Sequence, residues 1–273
     1  YLAKAHYGNF KRAISENPVY LCNSFTLYYP VFGRRGTDHA GSPYEKIKKY
    51  QDALPYLEKK IGLYCSYCEM PINHVPEVEH MISRKHGGDW TAWSNLLLGC
   101  KYCNTRKSAK TTPQNVEDYL WPDTDNTALA FSYTDGIPVV NENVLKGLDP
   151  TGSCCQKAQN TYDMVDLGNE PNLQRGDKDR RFLNRNASYH RALKSLENWQ
   201  HVKDASEWYQ NDMKEQIMMT AAADGFFSVW MAVFEDEPQI LLELIDRFPG
   251  TDRAYYDEHG KIKQILLKTE ENK

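Results

Sequence analysis

No stretch of this sequence holds the ~20 consecutive apolar residues that a membrane-spanning helix requires, so no membrane span is expected. No secretory signal pattern opens the chain, and there is no internal repeat, coiled coil or low-complexity tract. Net charge is only −4 over 273 residues, which excludes a surface built throughout to hold nucleic acid. No helix-turn-helix or series of extra zinc fingers is visible, and those are common means of reading a DNA sequence. Cysteine is sparse and odd in number, seven in all. Four of the seven form C-x-x-C pairs, which without a signal read as metal ligands in a reducing cytoplasm rather than a disulfide framework. The remaining Cys22, Cys154 and Cys155 are expected to be small buried hydrophobes. What is left is an ordinary globular composition, 41% hydrophobic and 26% charged, with length for one to two domains and a real core.

Charge is unevenly spread. Residues 81–110 hold Arg84, Lys85, Lys101, Arg106, Lys107 and Lys110 against Asp89, a local balance of +5. Residues 175–194 carry seven basic residues against Asp177 and Asp179, again +5. Residues 231–260 carry eight acids against Arg247 and Arg253, a balance of −6. A basic face on an acidic body suits a protein that meets phosphate at one site. The six cations of the first cluster are therefore candidate DNA contacts.

The sequence divides into three regions. Residues 1–62 read as an N-terminal helical cap, with a helix over 1–16, a Gly-rich loop over 33–43, and a helical pattern from Ser42 to Ile61 that Pro55 should kink or divide. Residues 63–112 form a metal module. It has a Cys65–Cys68 knuckle, a strand over 77–81, a Gly87-Gly88 turn, a strand over 96–99, a second knuckle, and a helix opening at Asn104. Residues 113–273 begin with a hairpin, 127–133 and 137–140 around Thr134-Asp135-Gly136. They continue as helices expected over 182–202, 205–223, 226–234 and 238–248. Trp199, Trp208 and Trp230 are read as core anchors rather than base-stacking platforms. The fold class is α+β: a zinc-stapled ββα-metal module in a mostly α-helical chain.

Cys65, Cys68, Cys100 and Cys103 can supply four thiolates to one tetrahedral zinc ion. The 31 residues between the pairs exceed the ~15–20 of a plain zinc ribbon, and Glu79, His80 and Asn95 lie in that insertion. A four-thiolate site has no open position, so the zinc is structural. Cutting a phosphodiester needs a proton acceptor for the attacking water, and a neutral histidine near pH 7 is one. It also needs charge stabilisation, which a hard ion such as Mg²⁺ on oxygen ligands supplies. Glu79 offers a carboxylate and Asn104 an amide oxygen. Adjacent strand residues point to opposite faces, so Glu79 and His80 require a twisted strand end to converge.

This segment resembles the HNH, or ββα-metal, endonucleases, whose pattern appears here in order. It runs from a C-x-x-C and an acid-His pair through Gly-Gly and Asn-Leu to a second C-x-x-C, then Asn and Lys. The resemblance implies His80 as general base and Glu79 with Asn104 as ligands of a catalytic Mg or Mn ion. It also implies Asn95 as a brace for the loop and Lys107 facing the phosphates. The acid in this family is more often Asp, and Glu reaches one methylene further. His86 is read as a solvated loop residue and His74 as a bystander.

More weakly, a hairpin-like Leu129-Ala130-Phe131-Ser132-Tyr133 and an Arg-rich helical tail with Leu167, Gly168 and Asn169 resemble the flanks of the PtuB-like HNH subunit of Septu and retron-associated anti-phage systems. That likeness implies an ATPase partner (PtuA-like), a hetero-oligomer, and a C-terminal half that docks it. The alternatives are a stand-alone restriction or mobile-element endonuclease, or a non-catalytic zinc-stapled nucleic-acid-binding module.

Overall fold

A cross-strand hairpin feeding directly into a short helix forms the centre of the molecule. In the computed structural model, residues 47–171 and 177–265 are described. The expected helix over 1–16, the 33–43 loop, Cys22 and the start of the Ser42–Ile61 pattern lie outside them. Strand β1 (Glu77–His80) pairs antiparallel with β2 (Leu96–Gly99), so that Glu77 faces Gly99, Glu79 faces Leu97 and His80 faces Leu96. Every residue of β2 is buried, as expected of an apolar strand covered on both faces.

Before the hairpin comes α1 (Leu54–Ile61). Pro55 sits in its first turn, where the missing N–H would be unpaired anyway. Pro55 therefore starts this helix instead of kinking it, and a separate 3-10 turn precedes it over Tyr50–Ala53. After the hairpin comes α2 (Lys101–Lys107), opening three residues earlier than expected. The cause is local: the Cys100 Sγ accepts a hydrogen bond from the Cys103 N–H at 3.4 Å and so caps the helix from within the second knuckle.

The expected second hairpin is β3 (Phe131–Thr134) against β4 (Ile137–Val140), preceded by one helical turn, α3 (Thr127–Ala130). Asp135 and Gly136 both have positive φ, 52° and 75°, the conformation a tight two-residue hairpin demands. The helices that follow are α4 (Glu142–Leu148), α5 (Ser153–Val165), α6 (Arg181–Val202), α7 (Glu207–Asp224), α8 (Phe227–Val233) and α9 (Pro238–Arg247). The last four start and end within two residues of the sequence-based spans. Helix α4 was not anticipated.

Two apolar clusters share the work of burial. One joins α1, both knuckles, β2, β3 and α5; the other joins α6 to α9 around Trp199, Trp230 and Phe234. Trp199 and Trp230 are fully buried, but Trp208 is 68% exposed and anchors nothing. Cys154 and Cys155 are only half-buried at the start of α5, so the expectation of buried hydrophobes fails for both. Among the described residues no helix is long and apolar enough to cross a membrane.

Candidate active site

The two knuckles bring Cys65, Cys68, Cys100 and Cys103 together in the core, with their four Sγ atoms all within 4.8 Å of one another. Cys68 Sγ and Cys100 Sγ are 3.7 Å apart. A tetrahedron with metal–sulfur bonds of about 2.3 Å has edges of about 3.8 Å, so the four thiolates fit one zinc ion and leave it no open position. Hydrogen bonds shape the first knuckle, with Cys65 N–H donating to Met70 O and Ser66 N–H donating to Leu98 O on β2. Glu69 turns it back through a positive φ of 61°.

Each knuckle is gripped by the C-terminal helices. The half-buried carboxylate of Glu69 accepts from Ser228 N–H at 2.9 Å and Ser228 Oγ at 2.6 Å, which satisfies the N-terminus of α8. On the second knuckle, Arg181 Nη1 donates to Cys103 Sγ at 3.2 Å and to Val165 O at 2.8 Å. Its Nη2 bonds Asp166 O and Asp179 Oδ2. Arg181 and Arg185 are each 1% exposed. The 175–194 cluster is therefore not a plain solvated basic face: two of its arginines are spent inside, Arg181 on the Cys103 sulfur and Arg185 on Leu167 O. Arg181→Met is expected to destabilise the protein by about 3–5 kcal/mol, because it strands the buried Asp179 carboxylate. Denaturant unfolding measures this, and a loss below about 1 kcal/mol would contradict it.

Strand β1 presents the candidate catalytic groups. Glu79 is 2% exposed; its Oε2 accepts from Tyr67 Oη at 2.6 Å and its Oε1 meets Lys107 Nζ at 2.7 Å. Burial raises its pKa, opposed first by the Lys107 charge. Lys107 also donates to His80 O at 2.6 Å and is itself 1% exposed. Lys107 thus does not face phosphate as expected. One turn of α2 carries it inward, where it ties the carboxylate of Glu79 to the backbone of His80.

The His80 ring lies on the other side of the strand, edge-on to Tyr50 with centroids 5.1 Å apart. Its Nε2 is 3.1 Å from Trp90 O. A carbonyl only accepts, so Nε2 carries the hydrogen, and in the neutral ring Nδ1 keeps a free lone pair. Burial lowers the His80 pKa, helped by Arg84 and Lys107 and opposed by the Trp90 carbonyl. Asn95 is buried and bonds on both sides, with Oδ1 accepting from Ile82 N–H and Nδ2 donating to Ile82 O and Asp89 O. It joins the end of β1 to the loop that carries Trp90.

Asn104 approaches from α2. Gly99 lies between it and Glu79: a Cβ there would sit 3.3 Å from Glu79 Cβ and 3.9 Å from Asn104 Cβ. Asn104 Nδ2 donates to Glu77 Oε2 at 2.7 Å. Glu77 and Asn104 thus carry hard-oxygen donors of the kind Mg²⁺ or Mn²⁺ takes, beside a Glu79 whose two oxygens are held by Tyr67 and Lys107. Sequence reasoning missed Glu77, although its i,i+2 spacing from Glu79 puts both on one strand face. The structure does not bring Glu79 and His80 onto one open face. Their side chains stay on opposite sides, and Lys107 joins the Glu79 carboxylate only to the His80 backbone carbonyl.

Of the expected cations, Arg84, Lys85 and Lys101 are exposed. Arg84 lies 4.9 Å over the Tyr50 ring. Arg106 pairs loosely with Asp166 at 3.5 Å, and the Lys110 ammonium is spent on Met164 O. His86 is pinned to Ala109 O at 3.0 Å, and His74 is exposed.

With this geometry in view, residues 65–110 match the model of the HNH endonuclease family. The match spans both knuckles, the β1–β2 hairpin and α2, so the chain carries an HNH endonuclease domain. Neither curated proteins nor solved structures gave a match.

Proposed function

We propose that this chain is a metal-dependent endonuclease that hydrolyses DNA phosphodiester bonds. The observation that carries the reading is the state of His80: its Nε2–H is held by Trp90 O, and burial favours the neutral ring. Nδ1 is then a proton acceptor near pH 7. Water attacks phosphorus, its proton passes to Nδ1, and the bond from phosphorus to the leaving oxygen breaks. Glu79 and Asn104 would hold the divalent ion, with Glu77 hydrogen-bonded to Asn104 beside them. A bound Mg²⁺ or Mn²⁺ would stabilise the charge that grows on the phosphate and the leaving oxygen. Asn95 keeps the His80 loop in register, and Arg84, Lys85 and Lys101 meet the phosphate backbone.

The finer reading is that this nuclease is one subunit of an anti-phage complex under the control of an ATPase, with the C-terminal helices as its docking region. Its supports are the resemblance of the flanks and the acidic 231–260 stretch, whose sign suits a protein partner better than DNA. Supercoiled plasmid incubated with the purified chain and Mg²⁺ or Mn²⁺ tests both levels. Nicking is expected to need the added ion, to be weak for the chain alone and to rise in the complex. No cleavage in either setting would sink the nuclease reading, and robust degradation by the isolated chain would sink control by the ATPase.

A further inference from the structure

Trp90 is out of place for a tryptophan. Trp93, Trp121, Trp199 and Trp230 are all buried, whereas Trp208 on α7 and Trp90, the one beside the candidate base, are 68% and 56% exposed. An indole is among the largest apolar groups a chain can bury, so leaving one in water forgoes a stabilisation of a few kcal/mol.

The exposure is not slack in the loop. Asp89 Oδ1 accepts from Thr91 N–H, Thr91 Oγ1 and Ala92 N–H. Asn95 Nδ2 fixes Asp89 O at 2.8 Å, and His80 Nε2 fixes Trp90 O at 3.1 Å. Both neighbours of the indole's attachment point are thereby tied down. The ring stands at an open depression of about 500 Å³, lined by Arg84, Lys85, Gly87, Gly88 and Trp90. One apolar plane and two exposed cations, Lys85 and an Arg84 that lies over the Tyr50 ring, share a concavity one hydrogen bond away from the candidate base.

We infer that Trp90 is a stacking platform for a nucleobase next to the scissile phosphate, with Arg84 and Lys85 holding the adjoining phosphates. The inference rests on the nuclease reading and deepens it by naming the form of the substrate. Aromatic side chains take bases by their π-faces, with little regard to sequence. Inside a duplex both faces of a base are already covered by its neighbours, so a base on Trp90 must be unpaired or flipped out. The preferred substrate is therefore a single strand, or a duplex with an unpaired nucleotide at the cut.

The test uses the zinc-loaded chain without added Mg²⁺ or Mn²⁺, so that nothing is cut. Fluorescence anisotropy follows binding of a labelled single-stranded oligodeoxynucleotide and of the same sequence as a blunt duplex. Trp90→Ala is expected to weaken single-strand binding by about 5- to 150-fold, the equivalent of 1–3 kcal/mol per stacked base. Trp90→Phe should retain most of the affinity, and duplex binding should change by less than about twofold. Tryptophan fluorescence should be quenched by the single strand in the parent and not in Trp90→Ala. Trp90 is exposed, so misfolding of the variant does not stand in the way. Unchanged single-strand binding in Trp90→Ala would overturn the inference, as would an equal loss for duplex and single strand. Failure of the parent to bind any oligonucleotide would overturn the platform, while the nuclease reading stands or falls on the plasmid assay.

Discussion

His80→Ala is expected to lower the rate of DNA cleavage by about 10²–10⁴-fold, the range that a positioned general base contributes, while leaving zinc content unchanged. The expectation follows from how His80 is held. Its backbone carbonyl accepts from Lys107 and its backbone pairs with Leu96. Both attachments survive loss of the ring. What disappears is the imidazole with its free nitrogen, together with the tie to Trp90 O. Plasmid cleavage by the two proteins, read beside zinc analysis and thermal unfolding, separates the outcomes. Cleavage at the parental rate would remove His80 from the chemistry. Loss of zinc in the variant would mean that His80 belongs to the metal core instead.

Zinc withdrawal, or Cys103→Ser, is expected to have the largest effect on stability. Structural zinc sites contribute about 10–16 kcal/mol, against a total stability of about 5–15 kcal/mol for a typical domain. All four cysteines sit within the first apolar cluster. Cys103 also receives the Arg181 guanidinium, so its loss leaves a buried cation without its sulfur partner. Circular dichroism and denaturant titration with and without a zinc chelator measure the effect. A soluble Cys103→Ser variant that still cleaves DNA would refute a structural zinc.

Much of the central hairpin was legible because its signals are local. The C-x-x-C pairs, the Gly-Gly turn and Asp135-Gly136 each state a backbone requirement within a few residues, and β1, β2 and the second turn fall where these require. The misses came from contacts that close over long distances. Lys107 has the look of a phosphate contact in a basic run, but α2 begins three residues early and brings it round to Glu79. Arg181 and Arg185 read as solvated charges, yet they continue inward the stripe of Ser188, Ala192 and Trp199 at spacings of three, four and seven. Extending that stripe backwards would have pointed to them, although only the folded chain brings their acceptors, the Cys103 sulfur for Arg181 and Leu167 O for Arg185. Trp208 went the other way: its tryptophan identity suggested a core anchor, and nothing local marks it as exposed.

The grip of Glu69 on α8 has a consequence in time. The partners Glu69 and Ser228 are 159 residues apart, and Tyr64 Oη reaches Ala222 O across 158. Contacts of such separation are slow to close, and during synthesis at about 5–20 residues per second the later partner emerges roughly 8–30 s after the earlier one. The β1–β2 hairpin is therefore translated well before the helices that clasp its knuckle exist. Until α8 emerges, the Glu69 carboxylate on the first knuckle waits for the Ser228 groups that hold it.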